Sequence, residues 1–421
     1  MRRRGGCFGA VLGLAEFRAL YLARLLSLSG DQVAKVALAV AIYRRSGSAL
    51  LAAATFAAGF LPWVIAGPVL SVVADRYRRR DVMVACDLAR AVLVAAIALP
   101  GLPLPVLFAL LVAMVSLAAP FEAARAGLLP EVLPDDGYVV GSSLGQAATQ
   151  GAQVLGYLCG GVAVALLTPS GALVLDAVTF VASAALVLKV RRGAAPQPPE
   201  RRPRLATELR GGAGVVLASP VLRAMVAVAW MTSVFLIVPE GLAIACASDL
   251  GGARLLTVLL VAAVPAGNLA GALAIARVRP ARRRIGLICP LAVLTAVPLV
   301  ATALRPAGLL VMACWMLAGL GGALHVPALA TFVVHTPPEL RGRAFGLAES
   351  GLQAVQGAAL LVAGALATVV PATTVVAGAG ACGVAAALLL RAWWPAEVRS
   401  LARPAPAPLA VPVGGISRAA R

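Results

Sequence analysis

Apolar residues fall along this chain in twelve long blocks, separated by short clusters of Gly, Pro and Arg. A membrane span needs about 20 mostly apolar residues, and the blocks meet that length. Their predicted limits are 19 to 43, 48 to 73, 82 to 100, 104 to 121, 141 to 167 and 171 to 190 in the first half. In the second half they are 220 to 245, 253 to 276, 285 to 303, 308 to 332, 345 to 370 and 372 to 391. The expected fold class is an all-α membrane protein of twelve transmembrane helices in two six-helix, pseudo-symmetric bundles. The fourth span is the least regular, because it runs into Glu122 and Arg125.

The polar remainder is organised by the same blocks. Before the first span lies a segment at 1–18, between the bundles (19–190 and 220–391) a linker at 191–219, and after them a tail at 392–421. The linker, with Gly193-Ala-Ala-Pro-Gln-Pro-Pro-Glu-Arg-Arg-Pro, is Pro-rich and reads as extended chain. The Pro-Ala tail reads as disordered. The basic start is not expected to be a cleaved signal, since the first span holds Arg24, Asp31 and Lys35 and lacks a short apolar stretch with a cleavage site.

Composition agrees with the pattern: 61% of the 421 residues are hydrophobic and 13% charged, against roughly 25% charge in soluble domains. The net charge of +19 would point to nucleic acid only if the basic residues formed one surface. They do not. With the N-terminus inside, 29 Lys and Arg fall in the cytoplasmic segments, 4 outside and 3 (Arg24, Lys35, Arg90) within spans. That asymmetry places both ends in the cytoplasm of a cell membrane, with arginines facing anionic headgroups. No nucleic-acid partner is expected. The seven cysteines are isolated, so no metal site, disulfide or cofactor is expected.

An offset of 203 residues superposes Arg76, Arg79 and Arg80 on Arg279, Arg282 and Arg283, Pro134 on Pro337, and Gln150, Gln153 and Gly161 on Gln353, Gln356 and Gly364. Parallel six-helix repeats are a transporter architecture. Between spans 2 and 3 the chain reads Ser71-Val-Val-Ala-Asp75-Arg76-Tyr-Arg78-Arg79-Arg80. This resembles the signature loop of the major facilitator superfamily, G-x-x-x-D-R-x-G-R-R, with Asp75, Arg76, Arg79 and Arg80 on its charged positions and Ser71 and Arg78 in place of its glycines. Arg341-Gly-Arg343 ahead of span 11 looks like the exporters of that superfamily, especially the enterobactin-exporter and macrolide-efflux group. Gly156-Tyr-Leu-Cys-Gly160-Gly161 resembles the antiporter motif G-P-x-x-G-G, with Tyr157 in place of proline. The resemblance implies that Asp75 pairs with Arg341 or Arg343 to lock the halves together on the cytoplasmic side. It also implies that spans 1, 4, 7 and 10 surround a central cavity.

Arg24, Leu28, Asp31 and Lys35 share one stripe of span 1, and Asp31 is 12 residues from either predicted end. A charge at that depth costs about 2.5–3.5 kcal/mol on insertion scales, so the stripe must face a partner helix or water. Asp31 is the leading proton-coupling residue, beside an alternative in which Asp31 and Lys35 form a static intrahelical pair. Glu240, Glu122, His325 and Glu349 are the other intramembrane titratable candidates, while Asp87 and Arg90 read as a structural pair.

Both lysines, Lys35 and Lys189, precede Val, so no phosphate loop ending in Gly-Lys-Ser/Thr exists for a primary pump. The expected function is therefore secondary active transport, proton-coupled efflux of small amphipathic molecules, by a monomer working with protons, solute and lipid bilayer. The alternatives are a membrane-embedded lipid-modifying enzyme, which would want a polar cluster in an outside loop, or a non-transporting sensor.

Overall fold

A computed structural model describes residues 13–60, 77–133, 149, 151–152, 155–156, 159, 168–190, 213–252, 254–278, 281–304, 307–337 and 341–402. Among these residues there are helices and connecting turns and no strand. The first half contributes α1 (Ala15–Ser46), α2 (Ala49–Ala57), α3 (Arg79–Ile97), α4 (Leu104–Ser116), α5 (Ala118–Val132) and α6 (Pro169–Val187). The second contributes α7 (Pro220–Asp249), α8 (Arg254–Arg277), α9 (Ala281–Gly286), α10 (Ile288–Val300), α11 (Gly308–Gly321), α12 (His325–His335), α13 (Arg341–Leu366), α14 (Ala372–Ala392) and α15 (Ala396–Ala402).

Sequence punctuation sets many of these limits. Ser48, Thr168 and Ser219 cap α2, α6 and α7 by accepting from the backbone N–H three residues on. Pro169 and Pro220 open their helices, where a missing N–H costs nothing. Gly47, at φ 63°, closes α1 in the left-handed region that a side chain disfavours. The interruptions at Ser116, Gly286 and Ala323 each lie four residues before a proline (Pro120, Pro290 and Pro327), whose missing N–H would have completed the turn.

Seven described helices are long and apolar enough to cross a membrane. One of them, Leu104–Leu129, carries α4 into α5, so the fourth span extends beyond its expected end at 121. The reason is that Glu122 and Arg125 neutralise one another inside the protein rather than ending the helix. Only the first part of span 2 and isolated residues of span 5 are described, while the linker core and most of the tail lie outside the described residues.

Apolar packing divides unevenly along the bundle. At the Gly47 end, one continuous core joins α1, α2, α3, α4 and α6 to α7, α8, α11, α13 and α14. At the opposite end the two halves have separate cores, one around Phe17, Met83 and Leu128, the other around Leu222, Ile288 and Phe332. The halves are thus fused at one end. Gly364 makes the approach possible there, because a Cβ on it would lie 2.7 Å from the Ala53 Cβ and 3.0 Å from the Leu50 Cα.

Candidate transport site

The polar residues of α1 do not act as one row; each is taken up by a different neighbour. Arg24 donates through Nε to Glu122 Oε1 on α5 (3.1 Å), and Arg125 donates to Oε2 of the same carboxylate (2.8 Å). Glu122 is therefore held on both oxygens by charge-assisted hydrogen bonds. One turn further from the Gly47 end than Asp31, Ser27 accepts from Arg90 Nη1 at 3.1 Å.

Asp31 accepts from Arg90 Nη2, so its partner is the α3 arginine rather than Lys35. Arg90 is 2% exposed and its Cζ stands 4.2 Å from the centre of the Phe180 ring on α6. Asp87, one turn back on α3, is 3.9 Å from Arg90 Nη1 and lies beside Ser183. The expected Asp87–Arg90 pair is present only as this looser contact, because Arg90 Nη1 donates to Ser27 and Nη2 to Asp31. Lys35 lies 5.6 Å over the Phe60 ring and within electrostatic reach of Asp31 and, across the junction of the halves, of Glu240 on α7.

Asp176 on α6 completes this group, a residue the sequence analysis does not single out. It is fully buried, lies within electrostatic reach of Asp31 and Arg90, and its Oδ1 accepts from the Thr179 hydroxyl at 3.2 Å. Its signal is present in the sequence, since Asp176 is the one acidic residue in the span at 171–190 and an ionisable residue within a span marks function by default. Gly30 explains its position: a Cβ there would collide with Asp176 Oδ1 and Thr179 Oγ1, so only glycine lets α6 lie against α1 at this level.

Elsewhere, Ser233 Oγ lies 3.0 Å from His325 Nε2, while His325 Nδ1 donates to the Gly322 carbonyl at 2.7 Å. Glu349 is exposed and accepts from Gln353 at 2.8 Å. Gly156 meets α1, where a Cβ would stand 2.7 Å from the Gln32 Cβ and from the Ser29 carbonyl oxygen; Gly160 and Gly161 are outside the described residues. Among the described residues no three metal-binding side chains converge.

At the other end of α3, Arg79 donates to the Gly127 carbonyl (2.9 Å) and pairs with Glu131, and Arg80 pairs with Asp81 at 3.2 Å. These contacts lie within the first half. Arg78 caps α3 at φ −59°, a backbone position that requires no glycine, which is why the departure from the motif's turn glycine is tolerated. Asp75 and Arg76 fall outside the described residues, and Arg341 and Arg343 open α13.

Comparisons with solved structures show the same fold at low identity. A POT family transporter in complex with 5-aminolevulinic acid superposes with a TM-score of 0.72 at 11% identity, covering 91% of this chain and 96% of that one. The nucleoside transporter NupG gives 0.71 at 12% identity, covering 90% and 100%. A bacterial homologue of the human lysosomal transporter Spinster, in an inward-facing and unoccupied conformation, gives 0.66 at 13%, covering 92% and 95%. Among curated proteins none matches. Residues 20–335 match the Major Facilitator Superfamily, and with this helical fold and its long apolar helices the chain belongs to that superfamily as a multi-pass membrane protein.

Proposed function

We propose that the protein is a proton-coupled exporter of small amphipathic molecules that works by alternating access in the cell membrane. Its working unit is a monomer of two six-helix bundles, 19–190 and 220–391, with the linker at 191–219 and both termini in the cytoplasm. Repetition of neighbours supports two related bundles: α6 packs on α1 and α3, and α14 packs on α7 and α10. The arginine asymmetry supports an orientation with the Gly47 end outside. The fused core then closes the outer side, while the separate inner cores leave room for entry from the cytoplasm.

The observation that carries the coupling is the Asp31–Arg90 pair. Asp31 sits near the middle of α1 with 17% of its side chain exposed, whereas its partner is buried at 2%. A carboxylate so placed can exchange a proton with water while its counter-ion stays buried. Lys35, shared electrostatically between Asp31 and Glu240, ties that event to the junction of the halves. The signature loop and the Arg341-Gly-Arg343 segment support assignment to the enterobactin-exporter and macrolide-efflux group and a gating role for Asp75.

The test is a susceptibility panel on expressing and deleted cells, followed by solute-driven collapse of a pH gradient in inverted vesicles. Asp31→Asn is expected to abolish solute-driven proton movement yet allow downhill solute exchange; wild-type coupling in that variant overturns the assignment and moves it to Glu240 or His325. Absence of flux for any solute would favour a sensor or a lipid-modifying enzyme. Labelling of Leu205→Cys from outside intact cells would overturn the topology.

A further inference from the structure

Five ionisable side chains meet inside the first half: Asp31 and Lys35 from α1, Asp87 and Arg90 from α3, and Asp176 from α6. Three are acids and two are bases. Fully ionised, the group carries one uncompensated negative charge in a setting where an unpaired charge costs several kcal/mol. One proton makes it neutral.

Ion pairing indicates where that proton resides. Asp31 has a guanidinium N–H, and Asp87, although neither of its oxygens has a hydrogen-bond partner, has Arg90 at 3.9 Å. Asp176 is fully buried, has no cation within 4.0 Å among the described residues, and its Oδ2 has no hydrogen-bond partner. The guanidinium next to it also keeps a buried Nε without a partner. An unfilled acceptor and an unfilled donor thus stand in one enclosure, both under the charge of Asp31.

We propose that Asp31 and Asp176 share one exchangeable proton and one guanidinium, so that Arg90 pairs with whichever of the two carboxylates lacks the proton. This deepens the coupling assigned to Asp31 and rests on it. In the arrangement described, Asp176 holds the proton and Asp31 holds Arg90. On exchange, the O–H bond on Asp176 breaks, an O–H bond forms on Asp31, and the guanidinium transfers to Asp176 across the face of Phe180. The group remains neutral until Asp31 releases the proton. Asp31, the one of the pair with an exposed face, then passes its proton to water. Asp176 is thereby a second proton carrier, reached only through Asp31.

Other charges bear on the pair. From α7, Glu240 acts on Lys35; from α5, Glu122 acts on Asp87 but is bound on both oxygens by Arg24 and Arg125; on α3, the Cys86 thiol borders Arg90. None of these supplies a cation to Asp176.

The experiment is an infrared pH titration of the purified full chain in lipid nanodiscs, following the protonated-carboxyl stretch, with no solute added. Charge balance predicts that one such band disappears in Asp176→Asn and that the same band disappears in Asp31→Asn, because Asp176 must then ionise to hold Arg90. Asp176→Glu is expected to retain it. A band that survives Asp31→Asn shows an independent, static Asp176 and overturns the proposal, as does a band that survives Asp176→Asn. Should Asp176→Asn fail to yield monodisperse protein, the Asp31→Asn spectrum alone decides. Failure of the transport reading would show instead as absent proton flux in vesicles with the band shift intact.

Discussion

Arg90 on α3 reaches across to Asp31 on α1 while its planar face rests on Phe180 of α6. One buried side chain thereby fixes three helices and supplies the counter-ion for the candidate coupling carboxylate. Breaking a buried pair from one side is expensive, about 3–5 kcal/mol, because the partner is left charged and unpaired. Both the forked hydrogen bonds to Ser27 and Asp31 and the stacking on Phe180 depend on guanidinium geometry.

Arg90→Lys therefore keeps the charge but loses the fork and the stack. The expected result is a loss of about 2–4 kcal/mol in stability, read as a lower melting temperature of the detergent-purified protein. An unchanged melting temperature would show that charge alone holds the three helices.

Gly30→Ala tests the spacing that brings Asp176 to this cluster. A methyl group at position 30 would occupy the space of Asp176 Oδ1 and Thr179 Oγ1, and overpacking of this kind costs about 1–3 kcal/mol. If Asp31 and Asp176 carry protons as proposed, loss of proton coupling should accompany the fall in melting temperature, because α6 must move away from α1. Retained coupling in a stable Gly30→Ala protein would mean that Asp176 can withdraw without consequence.

The sequence makes some of this site legible and hides the rest for a physical reason. Span limits follow from apolar run length and from Pro, Gly and Ser at the ends, so α7 begins at Pro220 and α14 begins at Ala372, as expected from the blocks. Asp31 stands out because a charge at mid-span needs a partner. Which partner it takes is a tertiary matter: Lys35 is one turn away in sequence, but Arg90, 59 positions on, lies where α3 crosses α1. The sequence offers no means of choosing between them. Asp176 shows the reverse case, a lone acid in an apolar span whose meaning emerges only when Gly30 is seen to admit it beside Asp31.

Arg79 anchors the start of α3 to α5, and Gly127 provides the room. A Cβ on Gly127 would stand 2.8 Å from the Arg79 Cζ, so Gly127→Ala should dislodge the guanidinium from Glu131. Arg79→Gln and Gly127→Ala are each expected to slow transport by a few-fold, about 0.5–1.5 kcal/mol, and the double variant should be no slower than the worse single one, as for residues in one interaction. Additive losses would separate the two positions.

α13 approaches α2 so closely at Gly364 that a Cβ would stand 2.7 Å from Ala53 and 3.0 Å from the Leu50 backbone. Valine there adds two further methyl groups to a Cβ that is already too close. Closed and open states of a transporter differ by only a few kcal/mol, so a steric penalty of about 1–3 kcal/mol shifts the population toward separation of α2 and α13. Spin labels at Arg45 and Val369, both exposed at this end, would report the change as a longer-distance population in Gly364→Val. If access alternates as proposed, the opposite end should respond in the opposite sense, with labels at Arg18 and Arg223 moving closer. If the distance at the Gly47 end lengthens while that at the opposite end stays fixed, the fused core is a local seal rather than half of a coupled gate.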